Sequence, residues 1–280
     1  PEKDLDFVVV GDAVAFAYKL QKSLGGIIRH FDRFKTASLL LKEGYRIDLV
    51  TARKEYYLSP AALPRAESAT LRDDLYRRDF TINAMACALA EDNFGKLYDY
   101  YNGRRDLQDK LIRVLNDQSF IDDPLRILRA IRFEQRYDFI IEEHTLKLAQ
   151  EAIEKRVLEK VGRQRLNQEL RLIYRELSPV KVLKRYDQLN LIPFLYQGAE
   201  PDRVTWRQLA RIEDVLNWAL NLEWEKKPDR ELVYLGGLFN RLESAERSAI
   251  IKKLYLSQEK SKILLEGFHH LPALYRKLNW

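Results

Sequence analysis

Asp4-Leu5-Asp6-Phe7-Val8-Val9-Val10 is the stretch on which the fold turns. Two acids one residue apart lead into an unbroken aromatic and β-branched run, the composition of a buried strand. Side chains two apart on a strand share a face, so Asp4 and Asp6 point the same way. Outward from there, Ala13 to Leu24 carries helical periodicity, and Ser38 to Lys42 and Tyr45 to Thr51 read as strands. That order predicts an α/β domain. Pro1-Glu2-Lys3 runs into the first strand with no signal peptide, as expected of a sequence that begins inside a domain.

Farther along, Ala52 to Leu71 is read as a loop, because Pro60 and Pro64 punctuate it among Ser59, Ala61 and Ala62. From Asp74 the pattern turns helical, broken near Phe94-Gly95, Asn102-Gly103 and Asn116-Asp117. Long amphipathic stretches follow through Asp122 to Arg136 and Arg163 to Glu176, and the remainder to Trp280 reads as entirely helical.

With 280 residues, 46% of them hydrophobic and 32% charged, the chain can build a sizeable core and more than one domain. No apolar run approaches the roughly 18 to 20 residues that span a bilayer, so no membrane is expected as a partner. A net charge of +6 suits a polyanionic partner without requiring one. Cys87, the single cysteine, is read as a small buried residue on a helix and points to a reducing, cytoplasmic setting. It shows no metal-ligand spacing with His30, His144, His269 or His270. Trp206, Trp218, Trp224 and Trp280 are read as packing residues.

The chemistry sits in three places. Asp4 and Asp6 can grip divalent cations, as two-metal phosphoryl transfer requires, with Asp48 in Arg46-Ile47-Asp48-Leu49-Val50 as the third carboxylate. Alone, that pair is better read as two solvated acids at a strand entry. Arg77-Arg78-Asp79-Phe80-Thr81-Ile82-Asn83-Ala84 sets two guanidinium groups before Asp79 and Asn83, read as one helical face for phosphates and a ribose. Asp122, Asp123 and Arg126 are read within one helical turn, where an acceptor and a donor could face one planar base. A plain ion pair at a helix start is the competing account.

Together with Asp122 to Phe133 (Asp-Asp-Pro-Leu-Arg-Ile-Leu-Arg-Ala-Ile-Arg-Phe), these motifs closely resemble the class II tRNA nucleotidyltransferases and bacterial poly(A) polymerases of the polymerase β superfamily. The resemblance covers roughly residues 1 to 178. It implies an N-terminally incomplete α/β nucleotidyltransferase head over residues 1–110, a helical neck over 111–178 and a helical body and tail over 179–280. It implies magnesium, as two ions, on Asp4 and Asp6, and nucleotide contacts from Arg77, Arg78, Asp79, Asn83, Asp123, Arg126, Arg129 and Arg132. The substrates implied are ATP, possibly CTP, and the 3′ end and acceptor stem of tRNA.

Two departures stand out. The family's glycine-rich segment with Arg-Asp does not precede Asp4 here, and Gly25-Gly26 follows the strand instead. The residue before Asp123 is Asp122, where the family has Glu. A loose likeness of Gly11-Asp12-Ala13 and Thr51 to Glu55 to the A-adding subgroup makes addition of the terminal A the expected reaction. CCA addition, CC addition, poly(A) synthesis and a catalytically impaired RNA-binding module are the alternatives. Arg163, Arg165, Arg171 and Arg175, followed by Lys181, Lys184 and Arg185, are the candidate phosphate contacts to RNA, against the simpler account of a solvated helix face.

Overall fold

The computed structural model describes residues 4–31, 35–196, 198–219, 222, 227–254 and 256–277, the side chains of 269–277 excepted. These form two compact units, one ending at Asp122 and the other beginning at Asp123.

The first unit is built on four strands and a helix: β1 (Asp4–Val9), α1 (Ala13–Leu24), β2 (Ile27–Phe31), β3 (Thr36–Leu40) and β4 (Arg46–Thr51). Sheet order is β1-β4-β3-β2, with β1 parallel to β4 and the other pairings antiparallel, so the sheet is mixed as well as covered by a helix. Asp12 caps α1 by accepting from the Ala15 amide at 2.9 Å. The helix lays Ala13 and Ala17 on Ala37, Leu39, Ile47 and Leu49, with Phe7 and Val9 packed alongside. Alternation then leaves Asp4, Asp6, Arg46 and Asp48 to the opposite face.

Strand β2 lacks the uninterrupted apolar signature of its neighbours and was not expected. Its entry needs glycine: Gly26 has φ +96°, and a Cβ there would meet the Leu40 carbonyl oxygen at 2.5 Å. The stretch expected as a loop between Ala52 and Leu71 is instead a hairpin of β5 (Arg53–Tyr56) and β6 (Arg65–Ser68), with only the residues between them irregular. Alternating charged residues hide this pairing from a reading based on hydrophobicity.

A capping box of Thr70 and Asp73 opens α2 (Leu71–Tyr76), which ends where Arg77 begins the octapeptide. The helical reading from Asp74 fails between Arg77 and Asn102 and holds again, in short pieces, from Gly103. A short hairpin of β7 (Ala86–Cys87) and β8 (Leu97–Tyr98) follows, then α3 (Gly103–Gln108) and α4 (Ser119–Asp122). Cys87 therefore lies on a strand and is exposed, not buried on a helix.

Among the described residues, the regular structure of the second unit is helical apart from a two-residue extended stretch at Ile140–Ile141. Its helices are α5 (Leu125–Tyr137), α6 (Glu143–Glu154), α7 (Arg163–Ile173), α8 (Pro179–Gln188), α9 (Ile192–Leu195), α10 (Arg203–Ala219), α11 (Arg230–Phe239), α12 (Ser244–Lys253) and α13 (Gln258–Lys277). Among the described residues, all regular structure after Pro179 is helical, as expected. Leu128, Ile131, Leu166, Leu170, Ile173, Leu183 and Tyr186 are buried where α5, α7 and α8 meet. The Tyr186 hydroxyl donates to the Leu128 carbonyl at 3.2 Å. Trp218 departs from its expected packing role, being 62% exposed, whereas Trp224 and Trp280 lie outside the described residues. No described helix is long and apolar enough to cross a membrane.

Candidate active site

The register of the sheet assembles the acidic face. Asp6 pairs with Asp48 and Asp4 with Arg46 across the parallel β1–β4 ladder, while Ser38 pairs with Asp48 from β3. All five side chains project from one face. Asp4 and Asp6 are exposed. Asp48 is not free: Ser38 donates its hydroxyl to one carboxylate oxygen, and Arg46 Nε binds the other at 2.8 Å. The bond from Arg46 holds the Asp48 carboxyl below the usual aspartate range, helped by Ser38 and opposed by partial burial. Arg46 is pushed above its ordinary value by that bond and by the charges of Asp48, Asp4 and Asp6.

Among the described residues no three His, Cys, Asp or Glu side chains are grouped to hold a metal ion. Magnesium does not require such a cage, since it binds through one or two carboxylates and completes its octahedron with water and phosphate oxygens. Asp4 and Asp6 supply that donor set, two hard oxygen ligands side by side on an open face. They fit the ion. Asp48 is placed beside them, with its oxygens engaged by Ser38 and Arg46.

The octapeptide is positioned by tertiary partners. Phe80 is fully buried and bridges to Val114, and the Thr81 amide donates to the Arg113 carbonyl at 2.9 Å. Asp79 and Asn83 are brought together, as expected, but not on an α-helix. Phe80 is extended, Thr81–Asn83 makes a single tight 3-10 turn, and Asn83 Nδ2 donates to Asp79 Oδ1 at 3.0 Å. Arg77 closes α2, where its Nε donates to Asp74 Oδ1 at 2.9 Å and one terminal nitrogen to Glu55 Oε1 at 3.2 Å. Arg78 reaches the fully buried Asp74 at 3.3 Å, yet its own Nε is buried with no hydrogen-bond partner. A buried donor left unsatisfied is costly, and an anion's oxygen would relieve it.

In the second unit, Asp123 and Arg126 are joined by a turn rather than by a shared α-helix. Helix α4 ends at Asp122, Pro124 stands at the cap, and the Arg126 amide donates to the Asp123 carbonyl at 3.0 Å. Proline's fixed φ and missing N–H explain the break. Asp123 Oδ1 accepts from Arg165 of α7 at 3.1 Å, and Arg126 is buried. Arg129 approaches Glu169 at 3.9 Å. Arg132, expected at the nucleotide, is only 4% exposed, with its guanidinium bound to Glu169 at 2.8 Å and Glu176 at 3.4 Å. That placement makes it the interior of an ion network. Of the candidate RNA contacts, Arg165 and Arg171 are paired, the latter with Glu231 at 3.1 Å, while Arg163 and Arg175 are exposed.

Residues 1–113 match the family model described as the Poly A polymerase head domain. The chain is 40% identical over 239 residues to the A-adding tRNA nucleotidyltransferase of Geobacter sulfurreducens, covering 85% of this chain and 27% of that protein. It is 42% identical over 193 residues to the A-adding tRNA nucleotidyltransferase of Halalkalibacterium halodurans, covering 68% of this chain and 45% of that one. A solved tRNA nucleotidyltransferase complexed with a primer tRNA and an incoming ATP analog superposes with a TM-score of 0.86 at 32% identity, over 99% of this chain and 78% of the other. The chain belongs to the tRNA nucleotidyltransferase and poly(A) polymerase family. It spans less than half the length of the two curated relatives.

Within this member of the family, several site residues were invisible to sequence reasoning. Arg46 gave one signal that could have found it, since it lies two residues before Asp48 and so shares its face, whereas Ser38 reaches Asp48 only through the β3–β4 pairing. Asp74 lies three residues before Arg77, a helical spacing that could have found it, whereas Glu55 gave no signal: its bond to Arg77 depends on the hairpin of β5 and β6 packing beside α2.

Proposed function

We propose that this chain transfers the adenosine nucleotide of ATP to the 3′ end of tRNA, completing its terminal A. The observation that carries the reading is the β1–β4 register, which sets Asp6 against Asp48 with Asp4 on the same open face. In this reading residues 1–110 are the transferase head, 111–178 a neck that reads the base, and 179–280 a body and tail that hold RNA, all in a cytoplasmic setting. Support for the choice of A addition comes from the curated relatives, whose names specify it.

Asp4 and Asp6 would hold two magnesium ions, which when bound activate the RNA 3′-hydroxyl and neutralise charge on the triphosphate. Arg77 and Arg78 bind the triphosphate oxygens, and the unsatisfied Arg78 Nε favours an anion there. Asp79 and Asn83 take the ribose, while Asp123 and Arg126 present an acceptor and a donor to the base. Arg129 stands at the edge of this set. Arg132 is left out of it. The 3′-oxygen forms a bond to the α-phosphorus, the bond to the β-phosphate bridge breaks, and pyrophosphate leaves with the transferred charge as the hydroxyl proton passes to solvent.

Incubation with magnesium, labelled ATP or CTP, and tRNAs ending before, within and after CCA tests the proposal. Incorporation of A only on tRNA ending in CC is expected. C incorporation makes the chain a CC- or CCA-adding enzyme, and A tails on unrelated RNA make it a poly(A) polymerase. RNA binding without any incorporation overturns the catalytic reading.

A further inference from the structure

Four tyrosines of the first unit form a chain of ring contacts. Tyr76 meets Tyr101 at 5.6 Å between centroids, Tyr101 meets Tyr100 at 6.3 Å, and Tyr100 meets Tyr98 at 6.0 Å. The two half-buried members are pinned by their hydroxyls: Tyr101 donates to the Arg72 carbonyl at 2.9 Å, and Tyr98 accepts from Asn93 at 3.0 Å. The other two are presented to solvent, Tyr76 at 46% and Tyr100 at 42% exposure. Cations flank them, with Arg72 5.8 Å from the Tyr100 centroid and Lys96 5.3 Å from that of Tyr98. Two nearby acids are occupied elsewhere. Asp73 is turned into the capping box with Thr70, and Asp99 accepts the amides of Gly103 at 2.7 Å and Arg104 at 2.9 Å.

Large exposed aromatic faces, packed against pinned rings and set beside cations, are what unpaired nucleotides need. Bases stack on the rings whatever their identity, and cations take the phosphates. A duplex is a poor fit, because its bases are already stacked on one another and unavailable to side chains. We infer that Tyr76 and Tyr100 form a stacking platform for an unpaired stretch of RNA, with Arg72 and Lys96 placed for its backbone. This rests on the reading that the chain acts on RNA, and adds a surface that neither the acidic face nor the octapeptide supplies.

The test is fluorescence anisotropy of the full chain with a labelled oligoadenylate and with a blunt RNA duplex of equal length. Tyr76→Ala/Tyr100→Ala should weaken oligoadenylate binding by ~10-fold or more, as expected for lost base stacking. Tyr76→Phe/Tyr100→Phe, which keeps both rings, should stay within about twofold, since stacking resides in the ring rather than the hydroxyl. Duplex binding should be unchanged in both. Oligoadenylate binding that survives the alanine pair overturns the platform while leaving the RNA reading intact. If the wild-type chain binds neither RNA, the RNA reading itself fails and the platform with it. If the alanine pair instead alters self-association in sedimentation with RNA affinity unchanged, the surface joins protein to protein and the inference is wrong. Should the alanine pair not fold, photocrosslinking of a thiouridine-containing oligonucleotide to the wild-type chain decides: crosslinks at Tyr76 or at Tyr98 to Tyr101 support the platform, and crosslinks only elsewhere overturn it.

Discussion

Asp6 and Asp48 are direct partners across the parallel β1–β4 ladder, yet the Asp48 carboxylate is already shared between Arg46 and Ser38. The two acids are therefore unequally engaged, and on the proposed function they should have unequal roles. Replacing Asp4 or Asp6 by Ala should reduce incorporation to below about a tenth of wild type while sparing the fold and RNA binding, because cation coordination is what is lost. Asp48→Asn should cost less, since its oxygens chiefly orient Arg46. Single-turnover incorporation with labelled ATP measures the difference. Equal losses at all three positions would show that Asp48 is a ligand of the same rank.

The Arg46–Asp48 bond also has a pH signature. Asp48 is depressed below the ordinary aspartate range, first by its bond from Arg46, so the unfolded chain binds this proton more readily than the folded one. The stabilisation is fully present above the unfolded value of about 3.9 and is lost as pH falls through the depressed folded value. Arg46→Gln should bring the midpoint of Asp48, followed by carboxyl-carbon NMR, back up toward that ordinary range. A midpoint that does not move assigns the depression to Ser38.

Legibility in the sequence followed the strength of local pattern. Helix α1 spans the predicted Ala13 to Leu24, because alanines at helical spacing and the Asp12 cap agree with its packing. Strands β1, β3 and β4 were also readable from runs of Val, Ile and Leu. What escaped was structure made by distant partners. Phe80 and Thr81 are locked by Val114, Arg113 and Asp106, so a helix-like stretch becomes an extended segment and a tight turn. For the candidate site, Asp4 and Asp6 were legible because two-residue spacing fixes a strand face. The Glu55–Arg77 and Arg165–Asp123 pairs were not, because nothing local relates residues 22 or 42 positions apart.

Arg132 should behave as a structural residue. It is nearly sealed from water between Glu169 and Glu176, and the latter also receives Arg136 at 2.6 Å. Arg132→Ala leaves buried carboxylates short of a partner and should cost on the order of 3 to 5 kcal/mol in urea unfolding. Removing charge from both sides, with Arg132→Met, Glu169→Gln and Glu176→Gln together, should restore much of it. ATP affinity of the alanine variant, taken well below its melting temperature, should stay close to wild type. A large loss of ATP affinity without a loss of stability would return Arg132 to the nucleotide.

Salt dependence should separate the arginines of the second unit. Arg163 and Arg175 are exposed, so neutralising either should lower RNA affinity and reduce the slope of log affinity against log salt by about 0.7 to 0.9. Arg171→Gln should leave that slope alone, since its guanidinium is engaged by Glu231. That carboxylate keeps Lys260 at 2.7 Å, so the variant should still fold. A slope unchanged by Arg163→Gln and Arg175→Gln assigns them to an ordinary solvated surface.

Base selection is the sharpest test of the proposed function. Asp123 and Arg126 are joined through one turn, Asp123 is steadied by Arg165 at 3.1 Å, and Arg126 is buried against solvent competition. If these two groups meet the nucleobase, Asp123→Ala or Arg126→Ala removes a hydrogen-bond partner that distinguishes bases, while the triphosphate and cation contacts survive. A bidentate polar contact discriminates by about 1 to 3 kcal/mol, so the ATP to CTP preference should move about tenfold or more. Asp122→Ala should blur the preference less, since Asp122 closes the preceding helix. The measurement is single-turnover incorporation of each nucleotide on tRNA ending in CC, with RNA affinity determined in parallel. Loss of ATP and CTP use in equal proportion would make both residues structural, because a group that only supports the fold cannot tell one base edge from another.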